Sequence, residues 1–281
     1  PMIGFGTWQL LGQQAYDAVL GALAAGYRHI DTAQAYQNEW EVGQAIKDSG
    51  IPRHELFIAT KASDPDEYPH LEGRFMQQLQ TMGLEYFDLY MLHTPEGPER
   101  RLAAWRTLEG LHDRGLVRSL GVSNFDVQAL EELLAVARIR PAYIQNKFSV
   151  YSPGEQRITS HSILQYAHQQ EMVMMGYSLL NPWPFLLSPM EDPLVKSIAA
   201  RYGRPIVQVL NRWALQLGVS IIPKSASLER IVENSRVLDF RLAETDMRLL
   251  NGIVTLVEST LGSYAPQWAE DVFSLQRVLQ V

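Results

Sequence analysis

Gly26-Tyr-Arg-His-Ile-Asp31-Thr-Ala-Gln-Ala-Tyr36-Gln-Asn-Glu39-Trp-Glu41-Val-Gly-Gln-Ala-Ile46 is the stretch on which the fold turns. A short apolar run, 27–31, ends in the carboxylate of Asp31. A polar loop carrying Tyr36 follows, and a helix then opens with Glu39 and Glu41 in its first turn. Val42, Ala45 and Ile46 recur at helical spacing and so share one face. The reading is strand, loop, helix, with ionisable groups gathered just past the strand end.

Working outward, the same order repeats. Upstream, 3–10 reads as a glycine-rich strand and 13–25 as a helix. Its Gly-x-Gly lacks the third glycine of a dinucleotide turn, and Gly12 falls at the wrong spacing. Downstream, strand 56–60 runs into Lys61 and is followed by helix 70–83. Strand 86–92 runs into His93 and is followed by helix 100–114. Strand 117–122 leads to Ser123, Asn124 and Phe125, with Asp126 placed to cap the next helix. Strand 142–145, helix 155–170, strand 172–177 and a Pro/Trp-rich loop, 181–189, come next. Helices 193–202 and 205–217, strand 220–223 reaching Lys224, helix 228–235, a short last strand 237–240, helix 244–256 and a tail 257–281 complete the chain. Strand and helix alternate about eight times with no break in composition. That predicts a parallel sheet covered by helices, closed as a single (β/α)8 TIM barrel domain spanning 1–281.

Composition bounds the rest. The chain of 281 residues is 46% hydrophobic and 20% charged, an ordinary globular profile. A net charge of −7 argues against nucleic acid and against an acidic membrane surface, and no apolar run reaches the roughly 18 residues of a membrane span. Without cysteine there is neither a disulfide framework nor thiolate chemistry. Pro1 is not a natural start, so leading residues are expected ahead of this numbering. A cytoplasmic location is expected.

In such a barrel the chemistry sits where strands hand over to loops. Asp31, Lys61 and His93 stand at successive strand ends, in units one, two and three, and Tyr36 lies in the loop after the first. Each alone has a bland explanation, as loop cap, core residue or solvated cation. Together they would converge on one rim. Their chemistry suits proton donation beside a developing oxyanion. A free tyrosine titrates at about 10, and the Lys61 ammonium would favour the phenolate and sharpen the acid. Asp31 would fix Lys61, and His93 could polarise a carbonyl. The four groups supply no electrons, so a hydride-carrying cofactor is implied.

Asp31-Thr-Ala-Gln-Ala-Tyr36-Gln-Asn-Glu39, Ala59-Thr-Lys61, Asp88-Leu-Tyr-Met-Leu-His93, Gly121-Val-Ser-Asn-Phe125 and Ile222-Pro-Lys-Ser225 closely resemble the aldo-keto reductase family, from residue 4 to about 250. The resemblance implies an NADPH-dependent reductase of aldehydes or ketones, with Tyr36 as general acid and Asp31, Lys61 and His93 completing a tetrad. It implies that Ser123, Asn124 and Gln145 hold the nicotinamide carboxamide and that Tyr177, followed by Ser178, stacks on the ring. It assigns Lys224, Ser225 and Arg230 to the adenosine 2′-phosphate and Glu233 and Asn234 to the adenine. Where many members carry Asn-Gln-x-Glu, this chain has Ile144, Gln145, Asn146 and Lys147. The family's N-terminal hairpin is missing from this numbering.

Trp8, Tyr36 and Trp183, with Trp268 as a further candidate, would line a largely aromatic substrate pocket. No metal is expected, because His161 and His168 lie seven apart on a helix and no His-x-His occurs. The expected partner is a small carbonyl compound, and the expected state a monomer or weak homo-oligomer. The tail positions Val272, Phe273, Leu275 and Leu279 suggest a helix laid on the body. Two rival readings are an NADPH-binding regulatory subunit with little turnover and a Schiff-base aldolase using Lys61.

Overall fold

The computed structural model describes residues 1–62, 70–151, 163–180 and 188–253. Eight parallel strands follow one another around a single sheet in chain order: β1 (Phe5–Gly6), β2 (His29–Asp31), β3 (Phe57–Ala62), β4 (Phe87–Leu92), β5 (Val117–Ser123), β6 (Tyr143–Lys147), β7 (Val173–Tyr177) and β8 (Ser220–Ile221). The sheet closes on itself. Ile221 pairs in parallel with Ile3, the Gly4 N–H donates to the Ile221 carbonyl at 2.8 Å, and the Ile221 N–H donates to the Met2 carbonyl at 2.9 Å. Gly6 makes the closure possible, since a Cβ there would stand 2.8 Å from the Ile222 carbonyl oxygen.

The helices form the outer ring. α1 (Gly12–Ala24), α2 (Glu39–Asp48), α3 (Leu71–Met82), α4 (Pro98–Asp113), α5 (Val127–Leu134) and α6 (Ile163–Gln169) follow β1 to β6 in turn. α7 (Pro193–Tyr202) and α8 (Ile206–Gln216) separate β7 from β8, and α9 (Leu228–Ser235) and α10 (Glu244–Asn251) come after it. This is a (β/α)8 barrel. Asp126 caps α5 as expected, its carboxylate accepting from the Ala129 N–H at 2.6 Å.

Alternation along the strands separates two cores. Ile30, Ile58, Tyr90, Leu92, Ile144 and Met174 face outward into the core under the helices. Ala59, Leu89, Met91 and Met175 face inward and fill the barrel with Phe57, Tyr143 and Ile222. Gly121 makes room for them, because a Cβ there would lie 2.9 Å from Met91 Cγ and from the Tyr143 carbonyl oxygen.

One expectation is corrected. Residues 237–240 form no strand: the Val237 N–H donates to the Ser235 carbonyl at 3.0 Å, and its own carbonyl accepts from Arg212 Nη1 at 3.3 Å. A turn, not a ladder, satisfies that backbone. The two-residue β1 completes the eight, so Asp31, Lys61 and His93 belong to the second, third and fourth units. Trp183, His161, Trp268, the start of the helix expected at 155–170 and the tail 257–281 lie outside the described residues. Among the described residues, no helix is long and apolar enough to cross a membrane.

Candidate active site

On five of the strands the inward set ends in a polar group at the C-terminal mouth. His29 is followed by Asp31, Ala59 by Lys61, Met91 by His93, Tyr143 by Gln145, and Met175 by Tyr177, each two residues apart. Lys61 is the centre. Its Nζ, fully buried, donates to Asp31 Oδ1 at 2.7 Å, to the Thr32 carbonyl at 2.9 Å and to the Tyr36 hydroxyl at 3.3 Å. Those three acceptors match the three N–H donors of an ammonium. Since the Tyr36 oxygen accepts from Lys61, the phenol's own proton is left to point elsewhere. The His93 ring meets that of Tyr36 edge-on, with centroids 6.0 Å apart.

The second oxygen of Asp31 is also held. Gln145 Nε2 donates to Asp31 Oδ2 at 2.7 Å and lies 2.9 Å from Met175 Sδ. From Gln145 the network continues sideways. Its carbonyl accepts from Ser123 Oγ at 2.9 Å and from the Asn124 N–H at 3.0 Å. Asn124 Nδ2 donates to the His93 carbonyl at 2.9 Å, and Asn124 Oδ1 accepts from the Tyr177 hydroxyl at 2.6 Å. Asp31, Tyr36, Lys61, His93, Ser123, Asn124, Gln145 and Tyr177 thus form one connected cluster. Asn124 and Ser178 both adopt left-handed backbone, with φ of 61° and 58°, a conformation uncommon outside glycine.

Burial dominates the electrostatics. It pushes the Tyr36 phenol above its ordinary value, and the Lys61 ammonium offsets only part of the rise. The net effect is opposite to the sharpened acid expected from the sequence, and it keeps the phenol protonated at neutral pH. Burial also works against the Lys61 charge, but Asp31 and Tyr36 together outweigh it and raise that group. His93 is drawn down to about 3, first by burial and then by the Lys61 charge, so it is a neutral imidazole at pH 7. At the end of β6, burial draws the Lys147 ammonium down to about 8.

The remaining candidates divide. Lys224 and Arg230 are exposed and flank the N-terminus of α9, where Ser227 Oγ caps the Arg230 N–H. Among the described residues neither side chain makes an ion pair or hydrogen bond. Buried Ser225 Oγ accepts from the Ser227 N–H at 3.1 Å. The Glu233 and Asn234 carbonyls accept from Gln208 Nε2 at 3.0 Å and Asn211 Nδ2 at 3.3 Å. These five lie past β8, and among the described residues no hydrogen bond or ion pair joins their side chains to the first group. Trp8 is 48% exposed on the turn 7–10.

Four participants escaped the sequence reading. The Thr32 carbonyl, the Gln145 amide on Asp31, Asn38 and Glu39 all hold the cluster in place. Glu39 Oε1 accepts from Gln78 Nε2 at 2.6 Å and from Thr60 Oγ1 at 3.3 Å, fastening α2 to β3 and α3. Only the polar outward position Thr60, in an otherwise apolar strand, signalled such a contact.

The cluster can hold a phenol proton beside a buried cation and a neutral imidazole at a barrel mouth. The sequence profile of the Aldo/keto reductase family matches residues 2–255. The glyoxal reductase of Bacillus subtilis is 37% identical over 255 residues, covering 90% of this chain and 88% of that protein. The 9,11-endoperoxide prostaglandin H2 reductase of Trypanosoma cruzi is 36% identical over 258 residues, covering 89% and 87%. The crystal structure of an aldo-keto reductase from a Medee basin deep-sea metagenome library superposes with a TM-score of 0.84 at 37% identity, covering 91% of this chain and 92% of that one. With matches of this extent to profile, sequences and structure, the chain belongs to the aldo/keto reductase family.

Proposed function

We propose that this oxidoreductase reduces aldehydes or ketones to alcohols with NADPH, and that Tyr36 is the general acid. The observation that carries the reading is the Lys61 ammonium, whose third donor rests on the Tyr36 hydroxyl at 3.3 Å. Bound NADPH would supply a hydride to the carbonyl carbon. As charge gathers on the carbonyl oxygen, Tyr36 gives it the phenol proton and His93 donates a hydrogen bond to the same atom. The phenolate left behind lies against Lys61, which stabilises it until a proton returns. Asp31, gripped by Lys61 and Gln145, would hold that cation in place beside the phenolate.

For the cofactor, the fit rests on two features. The Tyr177 ring is held by its hydroxyl on Asn124, beside Ser123 and Gln145, and offers a fixed face for stacking the nicotinamide. Ser178 follows it at the mouth. Lys224 and Arg230 hold no carboxylate among the described residues, and with Ser225 they suit a phosphate at the start of α9. Glu233 and Asn234, further along α9, would meet the adenine, and Trp8 and Trp183 would wall the substrate.

The test follows NADPH absorbance with a panel of aldehydes. Wild type should consume NADPH and Tyr36→Phe should not. Cofactor binding without reduction of any aldehyde would favour the regulatory-subunit reading instead. Trapping of an imine on Lys61 by borohydride would favour the aldolase.

A further inference from the structure

Asn38 occupies the N-cap position of α2, where an asparagine side chain ordinarily accepts from the helix's own first turn. Here it makes no such bond. Its side chain is fully buried and directed at two other segments. Nδ2 donates to the carbonyls of Thr7 at 2.9 Å and Leu10 at 2.8 Å, the two ends of the turn that carries Trp8. Oδ1 accepts from Thr32 Oγ1 at 2.9 Å, and the carbonyl of that threonine accepts from Lys61 Nζ. Thr7 closes the ring: its N–H and its hydroxyl both donate to the Asp31 carbonyl, at 3.0 and 3.1 Å. The amide's three hydrogen bonds therefore join the backbone beneath an exposed indole to the backbone beneath the buried cation. Between them the chain passes through Tyr36, two residues away.

We propose that Asn38 is a positioning residue that sets substrate preference by holding the Trp8 turn at a fixed distance from the Tyr36 hydroxyl. This rests on the reductase reading above. Freed from Asn38, the turn would keep its own Leu10 N–H to Thr7 carbonyl bond and the two Thr7 bonds to the Asp31 carbonyl, but Leu10 and the Thr7 carbonyl would lose their ties to the loop after β2, leaving the turn hinged at Thr7 alone. The indole would then drift relative to the reacting carbonyl. A substrate with a broad apolar portion uses that wall and a two-carbon aldehyde does not.

The test compares a two-carbon aldehyde with a phenyl-bearing one in wild type, Asn38→Ala, Trp8→Ala and the double variant. Asn38→Ala is expected to raise KM for the phenyl substrate about tenfold relative to the small one, and the double variant to shift it no further than Trp8→Ala alone, as groups acting through one another are non-additive. Amide hydrogen exchange gives a readout independent of turnover: peptides spanning 7–11 and 31–37 should lose protection together in Asn38→Ala. Equal losses for both aldehydes, additivity with Trp8→Ala, or exchange confined to one segment would overturn the proposal. If Asn38→Ala does not fold, Thr32→Val removes only the hydroxyl bonded to Oδ1 and should show the same pattern at smaller amplitude. If wild type reduces no aldehyde, the reductase reading fails. The paired exchange then still decides whether Asn38 links the two segments.

Discussion

Two tyrosines at opposite ends of the barrel each sit against cations, and they are used in opposite ways. At the N-terminal end Tyr86 lies between Arg53 and Arg118, whose guanidinium carbons both stand 4.0 Å from its ring centroid. Both arginines also pair with Asp88, at 2.7 and 3.4 Å, and the buried Tyr86 hydroxyl makes no hydrogen bond among the described residues. There the ring face is the partner and the O–H is idle. At the C-terminal end Lys61 Nζ is 5.0 Å from the Tyr36 centroid but 3.3 Å from its oxygen. There the O–H is the partner. Proximity of a cation to an aromatic ring therefore says little by itself; which atom the charge addresses separates a packing device from a hydroxyl held for proton transfer on the reading proposed above.

The sharpest way to break this contrast is to remove both hydroxyls in turn. Tyr36→Phe should lower kcat by about 10²–10⁴-fold, the usual range for a lost general acid. Tyr86→Phe should leave kcat alone and be neutral or stabilising by about 1 kcal/mol, because a buried hydroxyl without a partner is removed. Equal losses of turnover in the two variants would end the comparison.

The cations differ next. Lys61→Met leaves Asp31 buried and uncompensated, which should cost about 3–5 kcal/mol in urea unfolding, and Asp31→Leu added to it should recover much of the loss. Arg118 has a side chain 54% exposed, so Arg118→Ala should cost under about 1 kcal/mol and leave turnover unchanged.

Acid should sharpen the contrast further. His93 and His29 are both held at about 3 in the folded chain against an ordinary 6.5, in each case chiefly by burial. The unfolded chain therefore binds more protons between those values, and stability is lost as pH falls through that window. Melting temperatures from pH 7 down to pH 4 should fall less steeply for His93→Gln than for wild type. Identical slopes would remove His93 from the account.

The smallest effect lies outside both tyrosine sites. Lys224→Ala or Arg230→Ala should narrow a preference for NADPH over NADH by about tenfold in binding titrations, as expected for one charge-assisted phosphate contact. Equal affinity of wild type for both cofactors would refute that assignment.

Much of this was legible in the chain because a strand's period is two. Once 27–31, 56–60 and 86–92 read as strands, Asp31, Lys61 and His93 fell at successive ends, and a closed parallel barrel brings such ends together. What stayed hidden involved contacts with no local pattern. Gln145 reaches Asp31 across 114 residues of sequence. Asn38 drew no reading of its own, because nothing near it in sequence indicated that its amide serves the 7–10 turn. The strand count slipped because β1 has only two residues and depends on closure against Ile221, whereas 237–240 has apolar spacing without a neighbour to pair with. The acidity of Tyr36 was misjudged because a cation can be inferred from a motif, but the depth of burial opposing it cannot.

Beneath the cluster, Ala59, Leu89, Met91 and Met175 plug the barrel's interior with wholly buried side chains. Apolar groups of that kind give water few partners below the cluster, which favours exchange of the Tyr36 proton with solvent from the rim side. On the proposed reading, a carbonyl compound bound in the rim would also stopper it. If Tyr36 is the acid proposed above, its proton would be restored after the alcohol leaves, an order in which added product slows the return of that proton.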